Sequence, residues 1–465
     1  HRHLVAHRPS RKKQCRFLAQ QGGDAFLESA RGGILPKLLV THFGGSHGSA
    51  HHFRRERVSV REEVDHVSDD RYKPFSLVAG CEKPHFLANT VIAFSTLPTM
   101  DLDVLVVGGG PAGSAAAHWL ARDGHAVMLV EKKEYPREKT CGDGLTPRSI
   151  YQLAEMGFDF GLAEFHRVDG LRAYAGQLML EMEWPEHPVY PNWGGVIRRA
   201  DLDEQVARLA EKQGVVVRQH TSAVPVLAEG RIAAVELTSD GEKEMVHPRF
   251  VVVADGSLSR FGRALGAVRD RRRPYGLAAR AYFRSPMSTD GFMESQLNLH
   301  DTAGATVPGY GWVFPMGDGT VNIGVGVLST FHRWKDLNTS TLMEAMVASA
   351  PPHWQVTAAS QVDEARGGKL PMSFSVGPLV GRNWLLVGDA AGAINPFNGE
   401  GIAYAYETGR IAARHIGAAL GSEDPARLWG YHDEIHDTYD LYFRVARAFV
   451  AAIGRPGVMK VLTRT

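Results

Sequence analysis

Cysteine is nearly missing from this chain. There are three in 465 residues, and Cys15 and Cys81 lie within the first 99. Cys141 is therefore the only thiol after Met100, which leaves no internal disulfide and no cysteine set for a metal or iron–sulfur centre in that part. Net charge is scarce as well: 52 basic and 51 acidic residues leave +1, which argues against a nucleic-acid partner. No run of about 18 apolar residues offers a membrane-spanning helix. The first 30 residues lack the apolar core of a signal peptide, and no segment recurs at a fixed period. These absences suit a reducing compartment, and we expect a cytoplasmic globular protein with 44% apolar and 22% charged residues.

The even charge conceals two unequal parts. Residues 1–99 carry 15 Lys and Arg against 9 Asp and Glu, together with nine of the 21 histidines; the remainder has 37 against 42. Runs such as "RKKQC" and "HHFRRERV" show no sustained periodicity. We read 1–99 as an atypical leader, disordered or non-native, ahead of a natural start at Met100. The histidines of "HGSAHH" have no regular ligand spacing, so no metal is expected.

From Met100 the pattern is mixed α/β. "DVLVVGGG", "AVMLVEK", "GVVVRQ", "RFVVVADG" and "NWLLVGDA" are short β-branched runs of the kind that form buried parallel strands. "PAGSAAAHWLARDG" reads as a helix closed by Gly124, and "RADLDEQVARLAEKQG" as another with Asp201 as its cap. Residues 275–328 alternate strand-like segments with Gly and Pro turns, which predicts an antiparallel sheet.

"VVGGGPAG" places Gly108, Gly110 and Gly113 at G-x-G-x-x-G spacing between a strand and a helix. The first glycine permits the tight turn, the second lets a pyrophosphate approach the main chain, and the third lets helix and strand pack closely. Glu131 ends the next strand, 18 residues past Gly113, where a carboxylate can bind ribose hydroxyls. An acid there suits an adenosine ribose without 2′-phosphate, so FAD or NAD. Two further strand-terminal acids, Asp255 and Asp389, the latter after Gly388, suit the longer cofactor. Asp389 is a candidate for the ribityl hydroxyls. The amides near Gly399 and Gly401, opening a long helix, are candidates for stabilising negative charge on a reduced flavin. Arg199 is a candidate cation beside the phosphates or ribityl chain, or else a surface arginine at a helix start.

These motifs together resemble the p-hydroxybenzoate-hydroxylase-like flavoproteins: GGGPAG, Glu131, Arg199-x-x-Leu202-Asp203, Asp255-Gly256 and Gly388-Asp389. Two more are similar to those of the geranylgeranyl reductase family within that group. One is P-x-x-K-x-C-G-x-G at Pro136, Lys139, Cys141, Gly142 and Gly144. The other is Y-x-W-x-F-P at Tyr310, Trp312, Phe314 and Pro315, followed by Gly324 and Gly326. The resemblance spans roughly Met100 to residue 430. Its nearest likeness is to actinobacterial enzymes that saturate one isoprene double bond of the menaquinone side chain.

The resemblance implies a Rossmann-like FAD-binding domain (100–178, 195–270 and 372–425), an inserted antiparallel β-sheet substrate domain (179–194 and 271–371), and a C-terminal helical segment (426–465) expected to continue beyond Thr465. It implies an FAD-dependent reductase that saturates an isolated C=C bond in a lipid-soluble polyprenyl chain, the menaquinone side chain or a geranylgeranyl group. The hydride would come from reduced flavin, and a proton from elsewhere. Cys141, Tyr310 and Trp312 are the candidate residues of the substrate cavity. Cys141 would donate the proton or shape the cavity, or is merely a small buried residue. Tyr310, Trp312 and Phe314, at alternate positions, would line one face of a strand or form an ordinary aromatic core. No second G-x-G-x-x-G marks the electron donor, NAD(P)H or another reductant. Leu441, Phe443, Val445, Phe449 and Val450, interleaved with Arg444, Arg447, Arg455 and Lys460, suit a helix lying peripherally on the inner face of the cell membrane, or one packed on the body. The competing reading is a flavin monooxygenase or halogenase; "YGWVFP" departs from the halogenases' W-x-W-x-I-P, whereas the nucleotide and Gly-Asp motifs are shared with hydroxylases.

Overall fold

The computed structural model describes residues 102–458 apart from 176–177, 298, 302–303, 332 and 456. The leader 1–99 and Lys460 lie outside the described residues.

The short β-branched runs form one sheet. In spatial order it contains Trp384–Leu386, Phe250–Val253, Val104–Val107, Val127–Val130 and Val216–Arg218, and every neighbouring pair is parallel. All four residues of Val104–Val107 are buried, as expected for a strand covered on both faces.

Six helices of nine or more residues are described: α1 (Pro111–Arg122), α2 (Pro147–Glu155), α3 (Arg199–Lys212), α4 (Thr339–Ala348), α5 (Ile402–Ser422) and α6 (Trp429–Ile453). Pro111 sits at the first position of α1, where its missing N–H leaves no bond unmade. Small residues let α1 and α5 approach closely: a Cβ at Gly409 would overlap the Ala112 carbonyl oxygen. The start of α3 differs from the expectation. Arg198 occupies the cap, and Asp201 lies in the first turn, where its carboxylate faces the positive end of the helix.

The second large sheet has seven strands, in the order Arg366–Pro371, Tyr275–Arg284, Thr320–Leu328, Gly309–Pro315, Phe292–Gln296, Gly170–Ala175 and Leu178–Glu183. Its pairs are antiparallel except Phe292–Gln296 with Gly170–Ala175, which run parallel. Period-two alternation assigns its faces. Val313, Val321, Ile323 and Val325 pack with Leu342, Met343 and Met346 of α4, so Tyr310, Trp312 and Phe314 take the other face. A separate antiparallel meander of three strands spans Thr221–Val246.

α6 both packs on the body and exposes apolar side chains. Tyr431, Ile435, Tyr439, Phe443, Ala446 and Val450 recur every three or four residues and are buried. Leu441, Val445 and Phe449 are exposed, so Phe443 and Val450 belong to the packed face.

Candidate active site

The candidate cofactor cradle is mostly main chain. Gly108 has φ +105°, and a Cβ there would overlap the Ala254 carbonyl oxygen; one at Gly113 would overlap the Gly108 carbonyl oxygen. Gly110 caps α1 without any side-chain cap, which leaves the first-turn amides facing outward. Glu131 is buried and accepts the Gly109 amide at 2.9 Å and the Lys133 amide at 3.0 Å. Asp255 accepts the Phe261 amide at 3.0 Å on one oxygen, while its other oxygen is buried without a protein partner. Burial pushes the Asp255 carboxyl up.

These residues fit FAD. An orphaned buried carboxylate oxygen beside the glycine turn is what a ligand hydroxyl would satisfy. On the far side, Gly401 caps α5, again with no side-chain cap, and Gly388 lies against Ala112 of α1. Asp389 is 3.7 Å from Lys139, so the Gly388-Asp389 turn meets the loop that carries Cys141.

Arg199 sits differently from a cation free for phosphate. Its guanidinium is buried and donates to both oxygens of Asp203, at 2.7 and 2.8 Å, four residues along α3. The arginine beside Glu131 is Arg137. It pairs with Glu131 at 3.1 Å and Asp203 at 3.0 Å, and it is the side chain nearest a Cβ built at Gly110. Sequence reasoning missed it, although it follows Pro136 of the quoted motif.

The Cys141–Gly144 loop lies against the aromatic face of the seven-stranded sheet. A Cβ at Gly142 would stand 3.1 Å from the Phe314 ring and 3.3 Å from Trp312 Nε1. The rings form a stripe, with centroids 5.9 Å apart from Tyr310 to Trp312 and 6.3 Å from Trp312 to Phe314. The Trp312 indole covers Gly324 on the neighbouring strand, where any side chain would collide with it. The Tyr310 hydroxyl donates to the Asn398 carbonyl at 2.6 Å, tying the stripe to the turn before α5. Burial, aided by the neighbouring Cys141, pushes the Tyr310 phenol up to about 12. Burial also pushes the Cys141 thiol up, with Arg199 opposing, so the sulfur stays protonated at neutral pH.

A buried polar cluster behind Cys141 went unread in the sequence. Asp143, with φ +65°, accepts from the Tyr282 hydroxyl at 2.5 Å, from Asn322 Nδ2 at 2.8 Å and from the Arg199 amide at 3.3 Å. Asn322 Nδ2 also donates to the Cys141 carbonyl at 3.0 Å, and its Oδ1 accepts from Trp312 Nε1 at 2.9 Å. Arg280, almost fully buried, stacks over Tyr282 and pairs with Asp363 and Glu138, both at 2.7 Å. Burial pushes the Asp143 carboxyl up to about 6; the hydrogen bonds from Tyr282 and Asn322 and the charge of Arg280 hold it from rising further. One local signal was available: an asparagine inside the otherwise apolar strand "TVNIGVGVL".

The site thus joins Gly108, Gly110, Gly113, Glu131 and Asp255 in one cradle. It brings Cys141, Tyr310, Trp312, Asp389 and Gly399 around one loop contact, since a Cβ at Gly399 would meet the Tyr310 hydroxyl. Residues 101–444 match the family described as FAD binding domain. The chain is 41% identical over 355 residues to the menaquinone reductase of Mycobacterium tuberculosis H37Rv, covering 76% of this chain and 84% of that protein. It is 30% identical over 359 residues to digeranylgeranylglycerophospholipid reductase 1 of Methanopyrus kandleri, covering 75% and 90%. Among solved structures, a geranylgeranyl bacteriochlorophyll reductase-like protein of Thermoplasma acidophilum superimposes with TM-score 0.68 at 25% identity, over 78% of this chain and 90% of that one. The chain belongs to the FAD-binding-domain flavoproteins and, within them, to the geranylgeranyl reductase family.

Proposed function

We propose that this protein saturates an isolated C=C bond in a polyprenyl chain, with the menaquinone side chain as the favoured substrate and a geranylgeranyl group as the alternative. The observation that carries this reading is the contact of the Cys141–Gly144 loop with Tyr310, Trp312 and Phe314. An isolated alkene has no carbonyl to polarise, so the site must be dry and must hold the alkene in a near-attack position. An aromatic wall laid on a glycine loop meets both needs.

Bound FAD, once reduced, supplies hydride. The main chain at Gly108, Gly110 and Gly113 and the start of α1 would hold its pyrophosphate. Glu131 and Asp255 would hold its hydroxyls near the adenosine end, Asp389 its ribityl chain, and the start of α5 at Gly399 and Gly401 its negative charge. Arg199 would act through Asp203, which also pairs with Arg137, rather than on phosphate directly. Trp312 and Phe314 exclude water. Cys141 sets how far the prenyl chain enters, and its Sγ carries a proton at neutral pH. The electron donor is NAD(P)H or another two-electron reductant.

The substrate class also bears on location. Leu441, Val445 and Phe449 of α6 are exposed, and Phe449 packs on the exposed Phe397 at 4.8 Å. Phe397 adjoins Asn398, the partner of Tyr310. This apolar strip beside the site supports peripheral contact with the inner face of the membrane. No described helix is long and apolar enough to cross one.

The test is anaerobic. The protein is loaded with FAD, reduced chemically and given menaquinone or a geranylgeranyl lipid. Flavin reoxidation with a product that stays two mass units heavier after any quinol has been reoxidised to quinone supports the reductase. Oxygen appearing in the product once air is admitted would replace it with a monooxygenase.

A further inference from the structure

A cleft of about 550 Å³ lies between α6 and the segments 268–273 and 373–380, and no residue of the cradle or the aromatic wall lines it. Its charge is uneven. Arg269, Arg272, Arg273 and Arg447 face two carboxylates, Asp270 and Asp440. Both acids are already engaged. Arg272 donates to the two oxygens of Asp270 at 3.0 and 3.1 Å, and Arg273 lies 3.9 Å from it. Asp440 has His436 at 3.6 Å and Arg444 at 3.9 Å. Of the remaining titratable groups, His432 pairs with Asp433 at 3.1 Å and the Tyr439 hydroxyl donates to Glu407 at 2.7 Å.

Arg269 and Arg447 form no ion pair among the described residues, and each has a buried Nη1 without a hydrogen-bond partner. Burial lowers the Arg447 pKa, and the like charge of Arg273 nearby adds to this. The segment between them contributes two more unmet groups. Ser373 is 0% exposed and Ser375 is 2% exposed, and neither Oγ has a partner. Their turn is fixed from behind: Phe374 packs on Tyr439 at 5.4 Å and Phe443 at 5.3 Å, and the Ser373 and Phe374 amides are held by the Ile394 and Gly392 carbonyls.

Folded proteins rarely leave buried donors unmet, least of all four from three segments around one cleft. The group that would satisfy them must be anionic and must present oxygens in several directions. A carboxylate has two coplanar oxygens. A phosphate group has oxygens disposed tetrahedrally and matches guanidinium geometry.

We propose that this cleft binds a phosphate group, carried by a soluble ligand or by a phospholipid, with Arg269, Arg447, Ser373 and Ser375 as its ligands. The assignment does not depend on which alkene the enzyme reduces.

The test uses the full chain loaded with FAD. Calorimetry with inorganic diphosphate should show saturable binding, weakened about tenfold or more in the Arg269→Gln/Arg447→Gln double variant. Co-sedimentation with phosphatidylglycerol vesicles, set against phosphatidylcholine vesicles, reads the lipid source. Binding of diphosphate that leaves vesicle association unaltered identifies a soluble ligand. Release from phosphatidylglycerol vesicles by diphosphate identifies a lipid headgroup. Flavin content reports whether the double variant folds; if it does not, the single variants Arg269→Gln and Arg447→Gln, each removing one unmet Nη1, take its place. A wild-type chain that binds neither diphosphate nor phosphatidylglycerol overturns the proposal. So does a folded variant that binds both as tightly as wild type.

Discussion

Around Gly108 the candidate site presents main chain; around Trp312 it presents side chains. In the cradle, the absence of a Cβ at Gly108 and Gly113 lets strand, turn and helix close on one another. In the wall, indole, phenyl and amide groups fill space and consume one another's hydrogen bonds. The first kind of site fails when atoms are added. The second fails when atoms are removed.

That contrast is broken or sharpened by four substitutions. The largest effect is expected from Trp312→Ala, which empties the space over Gly324 and orphans Asn322 Oδ1. A loss of about 3–5 kcal/mol in stability is expected by denaturant unfolding, with flavin still bound by the folded fraction. Flavin loss without destabilisation would show that wall and cradle are not separable.

Next comes Asp143. Its carboxyl, normally near 3.8, titrates near 6 in the fold, so the folded state holds a proton that the unfolded chain has given up. Stability from this group therefore falls as pH rises between those values. Asp143→Asn has no such titration. Relative to wild type, the variant should gain about 2 kcal/mol between roughly pH 4.5 and pH 7.5, at about 1.4 kcal/mol per unit of pKa difference. Melting curves at the two pH values check this, and a constant difference would refute it.

Gly113→Ala tests the cradle: added atoms there should weaken flavin binding by about tenfold to a hundredfold while the wall stays intact. Flavin retention on dialysis reads it. The smallest change is expected from Cys141→Ser. If Cys141 shapes the cavity, turnover stays within about tenfold of wild type; a proton-donating thiol would forfeit about a hundredfold or more.

The same contrast explains what could be read in advance. Glycine spacing after a strand is a local constraint, so the tight turn at Gly108–Gly113 was legible, as were the parallel strands around it. The alternation of Tyr310, Trp312 and Phe314 was legible too, because a strand has only two faces. The Asp143 cluster was not. Asn322 stands 179 residues from Asp143 and Tyr282 stands 139 away, and no periodicity joins them. Arg199 illustrates the opposite difficulty. A cation at a helix start suggested phosphate, but Asp203 four residues on is a nearer partner, and the i,i+4 spacing was already visible in "RADLD".

The Asn322 amide leaves a mechanical consequence. Both of its ends are occupied: Nδ2 serves the Cys141 carbonyl and the Asp143 carboxyl, and Oδ1 serves the Trp312 indole. Prising the loop off the wall would break these bonds together, in a place water does not reach. Loop and wall are therefore one hinge-free body. Any ligand that reaches this face therefore meets loop and wall as one surface.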